Sequence, residues 1–73
     1  MFVINGDYWR ILLVSVNHPA MFRSDGSATI GCCDDKDKTI YIREDLTRKK
    51  FKKVLCHELT HAAMFSYGID MDI

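Results

Sequence analysis

The sequence predicts an α+β domain, and three observations carry that prediction. Apolar residues in the first half alternate at the two-residue period of strands. From Thr47 to Tyr67 they recur at helical spacing instead. The strands come first and a single helix last, which is the order of an α+β arrangement and not of repeating βαβ units. The expected architecture is a small, mostly antiparallel sheet of three or four strands packed on one long helix.

The elements follow in order. Phe2-Val3-Ile4 is a short apolar run, and Asn5-Gly6 after it is a strong two-residue turn signal. Both central positions of a type I′ turn need φ > 0, which Asn and Gly tolerate. Tyr8 to Val16 is rich in aromatic and β-branched residues and reads as the partner strand of a hairpin. Trp9, Ile11 and Leu13 fall on one face of it; Tyr8, Arg10, Leu12, Val14 and Val16 fall on the other. Asn17 to Gly26 holds the only proline and a Ser24-Asp25-Gly26 run, and reads as a loop. Ala28 to Cys33 and Thr39-Ile40-Tyr41-Ile42 read as two further strands joined by the polar turn Asp34-Asp35-Lys36-Asp37. On the helix the apolar positions are Phe51, Val54, Leu55, Leu59, Ala62 and Phe65. Thr47 or Asp45 can act as N-cap, and Gly68 stands where a C-terminal glycine ends a helix.

Size and composition narrow the function classes. The chain has 73 residues, enough for one domain spanning 1–73, and its 48% hydrophobic content excludes collagen-like, low-complexity and disordered classes. Ten basic residues balance ten acidic ones, so a globally basic nucleic-acid binder is not expected. No apolar run exceeds four residues, as in Ile11–Val14, so no membrane-spanning helix is predicted. The N-terminal residues lack the basic and apolar regions of a signal peptide. Three cysteines, two of them adjacent, suit reduced thiols in the cytoplasm better than a disulfide framework. A core this small, with an edge strand, also allows pairing with a second copy of the chain.

The chemistry lies on the helix. His57-Glu58-Leu59-Thr60-His61 is an H-E-x-x-H sequence. At 100° per residue the two histidines are about 40° apart and one turn along, so both imidazoles can reach one tetrahedral Zn²⁺. Glu58 is directed elsewhere and is poorly placed as a ligand. It is well placed to take the proton of a water activated by the metal, whose pKa falls to about 7. With three His and two Glu in the chain, chance would place this pattern somewhere with a probability on the order of 0.003, so accident is a weak competitor. Surface or core histidines without a metal are the bland alternative. Against it, Glu58 falls inside the apolar face of the helix while the histidines fall on its margin, and a carboxylate aimed at an apolar face is costly without a polar task.

Thr39-Ile40-Tyr41-Ile42, Arg43-Glu44-Asp45-Leu46 and Val54-Leu55-Cys56-His57-Glu58-Leu59-Thr60-His61-Ala62 together resemble the zincin metallopeptidases. More narrowly they resemble short bacterial and phage zincin-like proteins related to the ImmA/IrrE-type metallopeptidases. The resemblance covers residues 39–67. It implies a minimal zincin-like fold, a zinc cofactor, His57 and His61 as zinc ligands and Glu58 as catalytic base. It also implies that Thr39–Ile42 is the strand that binds extended peptide, the substrate being a peptide or protein. Two readings follow: a cytoplasmic zinc-dependent peptidase acting through a metal-activated water, or a non-catalytic zincin-fold module that binds a partner, such as a phage or mobile-element protein blocking a host protein.

The third ligand departs from the known patterns. Metzincins place Gly and His three and six residues after the second His, where this chain has Met64 and Tyr67. No Glu follows Glu58, and Asp70 and Asp72 are the only downstream carboxylates. Either one of them serves, or another chain supplies the ligand, or the natural protein continues further. The short tether after Gly68 favours neither aspartate reaching the metal, leaving a site of weak zinc affinity unless something else completes it.

The remaining candidates read more simply. From Arg43 to Lys53 there are six basic and two acidic residues, net +4; Lys49, Lys50, Lys52 and Lys53 read as a solvated helix face and not as a phosphate site. Cys56 reads as a small buried apolar residue, and Cys32 and Cys33 point to opposite faces of a strand. His18 reads as an exposed loop histidine. Trp9, Tyr8 and Phe22 read as core or sheet-face residues, and Tyr67 as a weak candidate for oxyanion stabilisation.

Overall fold

A computed structural model of the chain describes residues 1–68. Strand β1 (Phe2–Ile4) and strand β2 (Asp7–Val14) come first, followed by one 3₁₀ turn (Pro19–Met21). Strands β3 (Gly31–Asp34) and β4 (Thr39–Arg43) lead into helix α1 (Arg48–Tyr67). The four strands form one sheet in the order β1-β2-β4-β3, and α1 packs on it. The α+β expectation holds. The β1–β2 and β3–β4 pairs are antiparallel, but the central pair, β2 with β4, is parallel. Periodicity specifies a strand and its buried face and not its partner, so the parallel pair was not legible.

Local chemistry accounts for the boundaries. Asn5 and Gly6 have φ of 48° and 85°, as the turn between β1 and β2 requires. β2 stops at Val14, two residues short of the alternating pattern, where the backbone turns so that the Ser15 carbonyl accepts from the His18 N–H. β3 starts at Gly31 because Ala28 is engaged in an isolated bridge with Phe22, which closes the Arg23–Ser27 turn. Thr47, not Asp45, caps α1: its side chain accepts from the Lys50 N–H at 3.2 Å. Asp45 instead takes a bidentate pair from Arg43 at 2.9 and 2.6 Å. Gly68 ends the helix in the left-handed region, φ 67°.

The core lies between the sheet and α1. Trp9, Ile40 and Ile42 project from the sheet and meet Val54 and Ala62 of the helix, with Ile11, Leu55 and Leu59 packed around them. Trp9 is wholly buried and its indole N–H donates to Ser66 Oγ at 2.7 Å. The Asn5 side-chain amide donates to the Ser66 carbonyl at 2.9 Å. These bonds tie the last turn of α1 to the β1–β2 hairpin, and they explain one departure from the expected apolar stripe. Phe65 is 46% exposed, because the last turn meets the hairpin through Ser66, about 100° further round. Tyr8 and Phe22 are likewise exposed, and only Trp9 of the three aromatic candidates is core. Among the described residues no helix is long and apolar enough to cross a membrane.

Helix and sheet approach closely at β3. A Cβ on Gly31 would stand 2.6 Å from Val54 Cγ1 and 3.1 Å from Glu58 Oε2. The missing side chain lets the middle of α1 lie directly on the β3 backbone, and this sets the position of the candidate site.

Candidate metal centre

His57, Glu58 and His61 occupy the middle of α1. The Nε2 atoms of His57 and His61 lie 3.1 Å apart, with ring centroids at 4.8 Å and planes at 74°. Two nitrogens bound to one tetrahedral zinc at 2.0–2.1 Å are separated by about 3.3 Å. The two imidazoles therefore converge as a chelating pair would, and the donor set fits zinc.

Glu58 sits on the neighbouring face of the helix, over Gly31, and is only 8% exposed. Burial pushes its carboxyl above the ordinary carboxylate range, and the adjacent His57 and His61 pull partly back. The apolar-face position expected for this residue is what is found. Its environment combines loss of water with two imidazoles, the setting in which a carboxylate serves as a proton acceptor.

These side chains open onto one cleft of about 540 Å³. One wall is the α1 face carrying Lys50, Lys53, His57 and His61; the other is formed by Gly31 and Cys32 of β3 and by Phe22 and Arg23 beyond the 3₁₀ turn. The strand beside the cleft corrects an expectation. Thr39–Ile42, expected to bind extended peptide, belongs to β4, which is paired on both sides and has no free edge. β3 folds back on the outer side of β4 and, among the described residues, is the edge strand next to the histidine pair.

Other candidates sort by position. Asp70 and Asp72 lie outside the described residues. Among the described residues no third His, Cys, Asp or Glu joins the histidine pair in a metal-binding group. His18 is half-buried, not exposed: its Nδ1 accepts from the Ala20 N–H at 3.0 Å and its ring stacks on Tyr41 at 5.5 Å. It caps the 3₁₀ turn and takes no part in the metal pair. Cys56 is exposed, because it lies about 100° round the helix from His57 on the solvent side. Cys33 packs in the core, and burial pushes its thiol up to about 12. Cys32 is among the cleft-lining residues, and its thiol is also raised, first by burial and then by Glu58. Both thiols are held away from the reactive thiolate form. Tyr67 is exposed at the end of α1.

Sequence reasoning misses several contributors. The helical wheel puts Lys50 and Lys53 on a solvated face, yet they form part of the cleft wall, as do Arg23 and Phe22. Gly31 carries no turn signal; its role is close approach, which only the packed helix reveals.

No protein-family model, curated protein or solved structure matches this chain.

Proposed function

We propose that the protein is a zinc-dependent metallopeptidase-like domain that hydrolyses a peptide bond. The observation that carries this reading is the 3.1 Å convergence of the His57 and His61 Nε2 atoms beside a buried Glu58 in one open cleft. His57 and His61 would hold the zinc. Zinc bound there supplies Lewis-acid polarisation, lowering the pKa of water to about 7. Glu58 does the proton work: its carboxylate takes a proton from the attacking water and returns it to the leaving amine. Its raised pKa brings proton acceptor and donor strengths closer together, as a group that must do both requires. The outer edge of β3, where the Gly31 carbonyl already accepts from the Thr29 hydroxyl at 3.0 Å, offers its remaining outward N–H and C=O groups to an extended substrate laid along the cleft. A residue of another chain, or of a continuation of this one, would complete the coordination in place of Asp70 and Asp72, which the short tether after Gly68 disfavours. Three free thiols fit a reducing compartment, so the reading includes a cytoplasmic location.

The same edge and cleft would serve the second reading, a zincin-like module that holds a partner's strand without cutting it. Zinc-loaded protein incubated with a mixture of unstructured peptides separates the two. Cleavage that disappears in Glu58→Gln, with zinc affinity kept within about tenfold of wild type, supports the peptidase. Zinc uptake with no cleavage supports the binding module. Loss of zinc from Glu58→Gln contradicts the role given to Glu58 in both.

A further inference from the structure

The cleft is electrically lopsided. Arg23, Lys50 and Lys53 line it, and Glu58, set back beneath the histidines, is the only carboxylate among the described residues that does. The whole chain has a net charge of zero, so the excess is local. Ion pairs among the described residues involve Lys38 and Arg43 on other elements, and none of the three cleft cations takes part in one. Lys53 stands one turn before His57 and Lys50 two turns before it, about 6 and 10 Å along the helix axis.

The arrangement also costs the helix stability. The first turn of α1 carries no acidic residue, and Arg48, Lys49, Lys50, Lys52 and Lys53 crowd its N-terminal half. Cations at that end oppose the helix dipole, and like charges three apart, as at Lys50 and Lys53, repel. Folding alone would favour acidic residues here. An anionic occupant of the cleft would offset the repulsion.

We propose that the cleft selects an extended polypeptide segment bearing acidic side chains. Its carboxylates meet Lys53, Lys50 and Arg23 on the N-terminal side of the histidine pair, while its backbone pairs with the edge of β3. This rests on the reading that a peptide occupies the cleft. A nucleic acid would satisfy the cations but would leave the strand edge of β3 without its N–H and C=O partners.

The test is fluorescence anisotropy with zinc-loaded Glu58→Gln protein, so that binding is read without cleavage. The probes are three labelled peptides of one extended sequence, carrying two Glu, two Gln or two Lys, and an oligothymidylate of similar length. The Glu peptide is expected to bind about tenfold more tightly than the Gln peptide, the gain that two or three exposed charge pairs supply. That preference should shrink between about 50 and 200 mM salt. It should fall to within about threefold when Lys50→Gln and Lys53→Gln are added, with circular dichroism confirming the fold. Equal binding of the Glu and Gln peptides, no binding of any peptide, or oligothymidylate binding as tightly as the Glu peptide overturns the proposal. Cleavage by the wild-type protein is assayed separately: an acidic preference without cleavage removes the peptidase reading and leaves this inference standing.

Discussion

At Glu58 the proposed proton-accepting role and the stability of the fold make opposite demands on one buried carboxyl. Its carboxyl is buried and its pKa is raised above the ordinary 4.5 by that burial. Between the unfolded and the raised folded value the native state binds the extra proton, so stability falls as pH rises through that window. Wherever Glu58 is ionised, the metal-free protein holds a buried charge that its unfolded chain would solvate better. Glu58→Gln removes the charge and keeps the shape. It is expected to raise the melting temperature of the metal-free protein at pH 7–8 by about 4–8 °C, the shift that about 1 kcal/mol gives a domain of this size. The gain should vanish near pH 4, where wild type is protonated too. Calorimetry across pH checks this, and a variant that melts lower than wild type at every pH would mean that the carboxylate has a stabilising partner. His57, Glu58 and His61 were legible in the sequence because helix geometry alone brings an i, i+4 pair together. Lys50, Lys53 and Arg23 were not, because a helical wheel places charges around an axis and does not say that a loop after a 3₁₀ turn closes a cleft over them.

The contact of α1 with β3 and the seam at its C-terminal end hold the site in place. At Gly31 the close approach of the helix leaves no room for a methyl group, since a Cβ would sit 2.6 Å from the β-branched, stiff Val54 side chain. Gly31→Ala should push α1 from β3 and lower stability by about 1–3 kcal/mol. Adding Val54→Ala should restore part of the loss, a coupling that a double-mutant cycle in urea measures directly. Additive effects would mean the two elements are not in contact there. At the other end, Ser66→Ala leaves the wholly buried Trp9 indole N–H without its acceptor. The expected cost is about 1–3 kcal/mol, read from thermal melts followed by tryptophan fluorescence; an unchanged midpoint would contradict the assigned bond. Strand and helix positions, the Asn5-Gly6 turn and the Gly68 cap were readable, each being set by residues within a few positions. Gly31 and Ser66 were not, because their roles come from partners 23 or more residues away.

At the scale of the molecule, one helix laid across a four-stranded mixed sheet gives a small core and a cleft along the outer strand. The fold class was legible from the change of period at Thr47. The sheet order was not: the parallel β2–β4 pair puts the Thr39–Arg43 strand inside and leaves Gly31–Asp34 at the edge, and long-range pairing leaves no local signature. That order decides which backbone borders the cleft, so the histidine pair and Glu58 were more readable than their surroundings. The central claim is that His57 and His61 form the metal-holding pair of this cleft. Isothermal titration of zinc into wild-type, His57→Ala and His61→Ala protein tests it most directly. Saturable binding of one zinc per chain is expected in wild type, with a melting temperature that rises on zinc addition and falls back with chelator, and both variants should lose at least about tenfold in affinity. Zinc binding of unchanged strength in either variant, or no saturable binding in wild type, would contradict the account.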